Sequence, residues 1–154
     1  MRYPFTPKST RYLLPGQFWP IELSSGRFAC GRVLQTAQNH GFSDQRGFLA
    51  GLMDWSNVSP PVKDDLRGVP ICEIGKAHVK TITHLGAQIT DCCPLPEDAI
   101  PRRLDRAASP GCRLLRGYKD QGAAAPEDQS KLPVLGTWGY GFIVLLAERR
   151  FGSA

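Results

Sequence analysis

Apolar side chains at Trp19, Ile21 and Leu23 recur at a period of two, the spacing that puts them on one face of an extended strand. Ser24-Ser25-Gly26 follows as turn chemistry, with Gly26 free to take a positive φ. Alternation then resumes, with Phe28, Cys30 and Leu34 on one side and Ala29, Gly31 and Val33 on the other. The pattern predicts a β-hairpin over residues 15–34, entered through the Pro15-Gly16 turn. Ala29 and Gly31 leave one face thin enough for another element to lie close. Pro20 has no N–H for a ladder, which places the first strand at an edge or gives it a bulge. Trp19, Ile21 and Phe28 are the residues expected to hold the fold.

Further along, Phe48, Leu49, Leu52, Met53 and Trp55 are interrupted by Gly47 and Gly51, which disfavours a helix. Residues 42–55 therefore read as a third strand with a bulge, completing a meander after a turn at 38–41. Residues 57–61 form a loop, and 69–74 a short strand that Gly75 is expected to end. Val79, Ile82 and Leu85 stand three apart, predicting a short helix over 76–85 with Gly86 as its C′ residue. Residues 87–93 return to a strand. Six prolines make 94–133 the least regular stretch, with a short strand near 112–115 and a mobile loop near 120–131. Residues 137–151 are the strongest helix candidate, closed by Gly152; the run 142–147 alone also fits a buried strand. Tyr3, Phe5 and Tyr12 are expected to pin an irregular N-terminal segment to the body. The fold class expected is α+β: a small twisted antiparallel sheet with one or two packed helices, the last among them.

Composition narrows the class. The chain has 154 residues, 42% hydrophobic and 21% charged, which suits one domain (1–154) with a real core. Thirteen prolines and sixteen glycines argue for turns and short elements over a long bundle. Residues 1–12 carry no apolar h-region, and the longest apolar run is too short to span a bilayer, so a cytoplasmic, non-membrane protein is expected. Five cysteines, an odd number at irregular spacing, argue for reduced thiols over a disulfide framework. The net charge of +5 is unevenly spread. Arg102, Arg103, Arg106, Arg113, Arg116 and Lys119 face only Asp105 within 102–119, whereas residues 51–100 are net acidic.

Chemistry is harder to find in the residue pattern. His78 and His84 lie six apart, off any shared helical face, and Cys92-Cys93 is adjacent where zinc sites use a two-residue gap. Alternation sets Cys30 among apolar neighbours, where a thiol stays inert. No Gly-x-Ser-x-Gly occurs, and the glycines of 136–141 lack the lysine of a phosphate loop. They read instead as a tight entry to the last helix, with Trp138 covering the core. No catalytic residue, cofactor or metal is expected. The basic segment 102–119 with Tyr118 is a candidate nucleic-acid surface. Asp54, Trp55, Asp64 and Asp65, an aromatic beside acidic charge, are the candidate protein-contact surface.

The hairpin also carries a resemblance. Gly16, Ile21 and Leu23, then Gly26, Phe28, Gly31 and Val33, resemble the N-terminal signature of immunity protein family 26 of bacterial polymorphic toxin systems. Gln17 stands where that pattern favours an acidic residue. The resemblance spans about twenty residues and implies a stoichiometric inhibitor whose partner is a cognate protein toxin. It brings no catalytic residues to carry over. Inhibitors of nuclease toxins are often acidic, so a basic chain implies contact through its acidic half or a target of another kind. The rival expectation is a small nucleic-acid-binding module built on 102–119.

Overall fold

The computed structural model describes residues 2–37, 46–106 and 111–152. Strands β1 (Gln17–Glu22), β2 (Phe28–Thr36), β3 (Gly47–Asn57) and β4 (Ile71–His78) form the expected antiparallel meander. A two-residue strand β5 (Asp91–Cys92) pairs with Gln17 and Phe18, giving the sheet order β4-β3-β2-β1-β5. Because β5 stops there, β1 is an open edge from Pro20 onward, where a missing N–H breaks no ladder. Gly26 turns the hairpin at φ 87°. The turn expected at 38–41 and the start of the third strand lie outside the described residues. Register shifts occur on both sides of β3: extra residues fall on β3 itself between Leu52 and Ser56, on β2 between Val33 and Gln35, and on β4 between Ile71 and Glu73.

One face of this sheet packs Trp19, Ile21, Val33, Phe48 and Leu52 against Ile82, Trp138, Ile143 and Ala147. Gly31 is opposite Trp19, and the indole lies where a Gly31 Cβ would project. The thin face thus admits the ring, which meets Phe48 edge-on at 6.0 Å. Burying an indole of about 200 Å² at ~25 cal/mol per Å² contributes roughly 5 kcal/mol before entropy is counted. Phe28 does not share this role; it is half-buried at the sheet's rim. The opposite face packs Phe18, Cys30, Leu34, Leu49 and Met53 against Leu66, Ile100 and Tyr118.

The fourth strand departs from expectation. Gly75 does not end it: β4 runs on to His78, and the helix expected over 76–85 shrinks to α1 (Lys80–Thr83). Gly75 is instead a contact glycine, with the Trp138 indole filling the space of its absent Cβ. Gly86 takes φ 86° past the end of α1, but with the helix stopping at Thr83 and capped by His84 it stands one residue beyond the C′ position expected for it.

The stretch 94–133 is also more regular than expected. It holds β6 (Arg102–Asp105), β7 (Arg113–Arg116) and β8 (Lys119–Ala123), a second antiparallel sheet in that order. Gly117, at φ 63°, is the first residue of the two-residue turn joining β7 to β8, the geometry of a type II′ hairpin. The segment expected as a loop near 120–131 carries the end of β8 and then α2 (Pro126–Lys131). Pro126 starts that helix, Glu127 and Asp128 lie in its first turn and Lys131 in its last, in accord with the helix dipole.

The C-terminal helix forms as α3 (Phe142–Phe151), which resolves the helix-or-strand choice for 142–147. It starts later than residue 137 because 136–138 runs parallel to β4 and bonds to it. Lys76 N–H donates to Gly136 (2.9 Å) and Trp138 N–H to Lys76 (2.8 Å). Glu148 of α3 reaches back to the hairpin turn, accepting from the Ser24 amide (2.7 Å) and hydroxyl (2.6 Å). At the N-terminus Tyr3 and Phe5 pack on the core, and Phe5 bridges Ile89. Tyr12 does not pin the segment: its ring is exposed, with the Arg11 guanidinium 5.3 Å from its centroid, and its carbonyl accepts from Gln17. No described helix is long and apolar enough to cross a membrane.

Candidate protein-binding surface

The four residues proposed as an acidic contact surface are split between the two faces of the sheet. Asp54 and Trp55 are successive on β3 and so point to opposite faces. Asp54 accepts from Arg150 of α3 at 3.2 Å. Trp55 packs half-buried against the core cluster of Phe18, Met53 and Leu66. Asp64 pairs with Arg67 at 3.2 Å. Asp65 accepts from the Val62 amide at 2.9 Å, closing the 3-10 turn Lys63–Leu66. Asp64 and Asp54 stay exposed while paired with arginines of this chain.

The basic segment is brought together. Arg102 is opposite Arg116 and Arg116 opposite Lys119, one cross-strand row of three cations. Like charges directly opposite repel. Several of these cations hold the small sheet in place. Arg116 donates to the carbonyls of Asp98 (2.7 Å) and Ile100 (2.8 Å), and Arg106 to that of Gln129 (3.1 Å). Arg113 pairs with Asp120 at 3.1 Å, and this contact holds the Asp120 carboxyl below the usual carboxylate range. Arg102 lies 3.9 Å from Asp128, and Arg103 donates to the Arg102 carbonyl.

A third surface was not read from the sequence. Helix α3 buries Ile143 and Ala147, yet Phe142 and Leu145 remain on its solvent side, Leu145 at 59% exposure. Tyr140 is exposed in the loop that enters the helix, and Leu85, two residues past α1, is exposed at 70% and lines a pocket with Ile143 and Val144. Loop and helix meet here: the Tyr140 ring contacts His78 (5.2 Å) and His84 (6.4 Å), and Lys80 Nζ sits 5.7 Å from its centroid. Phe142 also abuts Trp138 at 6.0 Å, so a buried indole backs the exposed ring. The result is an apolar end of the molecule flanked by cationic and imidazole groups. One signal pointed to it: the run 142–147 is apolar at every position, more than a single helix face can bury.

The cysteines are all free. Burial pushes the Cys30 thiol far up from its ordinary range, and also raises Cys72 and Cys92. Among the described residues no cluster of three or more His, Cys, Asp or Glu side chains is placed to hold a metal ion. Compared with known proteins, the chain matches no protein-family model, no curated protein and no solved structure.

Proposed function

We propose that the protein neutralises a cognate bacterial toxin by binding it stoichiometrically, using the apolar end formed by Leu85, Tyr140, Phe142 and Leu145. The observation that carries protein binding is the exposure of these large apolar side chains beside the imidazoles and the lysine that contact Tyr140, since exposed apolar surface rimmed by polar groups marks interaction sites on proteins. Tyr140 is a suitable anchor, since tyrosine loses little side-chain entropy and combines an apolar ring with a polar tip. The flanking Lys80, His78 and His84 favour an apolar partner surface with acidic groups at its edge. That the partner is a toxin rests on the resemblance of the hairpin, Gly16 through Val33, to immunity protein family 26.

A pull-down with the full chain as bait, read by mass spectrometry, tests the class. A stoichiometric partner carrying a toxin-like domain is expected, and co-expression should restore growth to cells producing that domain. Tyr140→Ala combined with Leu145→Asp should abolish capture while the far-UV spectrum is unchanged. Asp54→Ala with Asp64→Ala should leave capture intact; the reverse pattern would return the contact to the acidic residues.

The second reading, a nucleic-acid-binding module, is favoured by the row Arg102, Arg116 and Lys119. Steeply salt-dependent binding of an oligonucleotide, lost in Lys119→Glu, would establish it.

A further inference from the structure

Arg32 is the most deeply buried cation of the chain, 2% exposed, and it rises from the middle of the main sheet between Phe18 of β1 and Gly51 of β3. Its Nη2 donates to the Cys93 carbonyl, while its Nε is buried with no acceptor. Among the described residues no carboxylate pairs with it; its hydrogen-bond partner is that carbonyl. A buried charge is ordinarily paired, because an unpaired one keeps the full cost of its desolvation. Arg32 lines a cavity of about 610 Å³ between residues 66–71 and 93–101. Leu66, Val69, Ile71 and Leu95 form its apolar walls. Arg67, also on the lining, is already matched by Asp64 at 3.2 Å.

We propose that this cavity binds a carboxylate borne on an apolar body, with the head group on Arg32 and the body along Leu66, Val69, Ile71 and Leu95. A single negative charge matches the one uncompensated cation. A phosphate dianion would leave a second charge against hydrocarbon walls, which burial opposes. A guanidinium donates to a carboxylate through N–H groups lying in its own plane, and such charge-assisted bonds are among the stronger ones. The volume falls within the range of about 300–1,000 Å³ typical of small-molecule sites. The same chemistry is found in a free medium-chain acid and in the C-terminal residue of a polypeptide ending in leucine or a similar side chain. This inference is independent of the toxin reading, since the cavity lies across the sheet from the apolar end.

Calorimetry with octanoate, octanamide, acetyl-Ala-Ala-Leu and its C-terminal amide separates these sources. Octanoate binding without peptide binding assigns a free acid; peptide binding without octanoate assigns a chain terminus; binding of both assigns the shared chemistry. In each case Arg32→Met should weaken binding about tenfold or more. Ala99→Trp, an exposed position on the lining, should block the cavity with Arg32 intact and serves if Arg32→Met fails to fold. Equal affinity for the acids and their amides, or no binding of either acid, would overturn the proposal.

Discussion

Replacing Gly75 by alanine probes the contact that carried β4 past its expected end. A Cβ at this position would lie 2.2–2.5 Å from the Trp138 ring atoms Cε2, Nε1 and Cδ2. Carbon contacts settle near 3.5–4.0 Å, so the ring must retreat by more than ~1 Å. It has little room: Trp138 is buried, abuts Phe142, and its backbone is bonded to Lys76. Overpacking of this kind costs about 1–3 kcal/mol, rising toward 3–5 if the indole is expelled as in a Trp→Ala substitution. The entropic gain of Gly→Ala in a strand, roughly 0.5–1 kcal/mol, offsets only part. We expect a net loss of about 1–3 kcal/mol, read as a lower urea midpoint at constant slope. Repeating Gly75→Ala in a Trp138→Ala background removes the opposing ring, so the cost should vanish or reverse there. An equal cost in both backgrounds would show that the indole is not what requires a glycine, and the account of β4 would fail.

Three other outcomes follow from the geometry. Glu148 is held below the ordinary glutamate range by its bonds from the Ser24 hydroxyl and amide, so its contribution is present at neutral pH and lost as pH falls through the folded value. Its midpoint, followed by carboxyl carbon NMR, should be depressed and should rise in Ser24→Ala; an unmoved midpoint refutes the latch. Cys30, buried and strongly raised in pKa, should resist a disulfide reagent that labels half-buried Cys112, with mass spectrometry reading the sites; equal rates would contradict its burial. Lys119→Glu should relieve the like-charge row, raising the urea midpoint at low salt by an amount that shrinks as salt is added. A lowered midpoint at low salt would mean that the row is not repulsive.

The meander was legible because its signals are local. Period-two alternation, Gly26 in the turn and Pro20 at an edge each concern a few adjacent residues, and each has its counterpart in the fold. The misreadings share a cause: a glycine or proline was taken as punctuation where a distant partner decided its role. Gly75 faces a tryptophan sixty-three positions away, which no window around it contains. In 94–133 the prolines hid local cues, although Pro126 before two acids and a lysine was a readable helix start. The acidic group was divided for the same reason, since the partners of Asp54 and Asp65 are set by tertiary contact or by a turn not recognised in advance. Arg32 sits within the hairpin stretch 15–34, but only the three-dimensional arrangement shows that no described carboxylate pairs with it.

The dependence of one sheet face on Trp138, Ile143 and Ala147 also sets an order on how the chain matures. Strands β1 to β4 zip from neighbours in sequence and need little loop closure, so they assemble early. The hydrophobic side carrying Trp19, Phe48 and Leu52 then waits, without that part of its cover, for residues made more than eighty positions after Leu52. During translation that interval is a window of aggregation risk. Its length is governed by how soon the stretch 138–147 emerges, and a slow codon or a stalled ribosome just before it would prolong the exposure of an otherwise complete sheet.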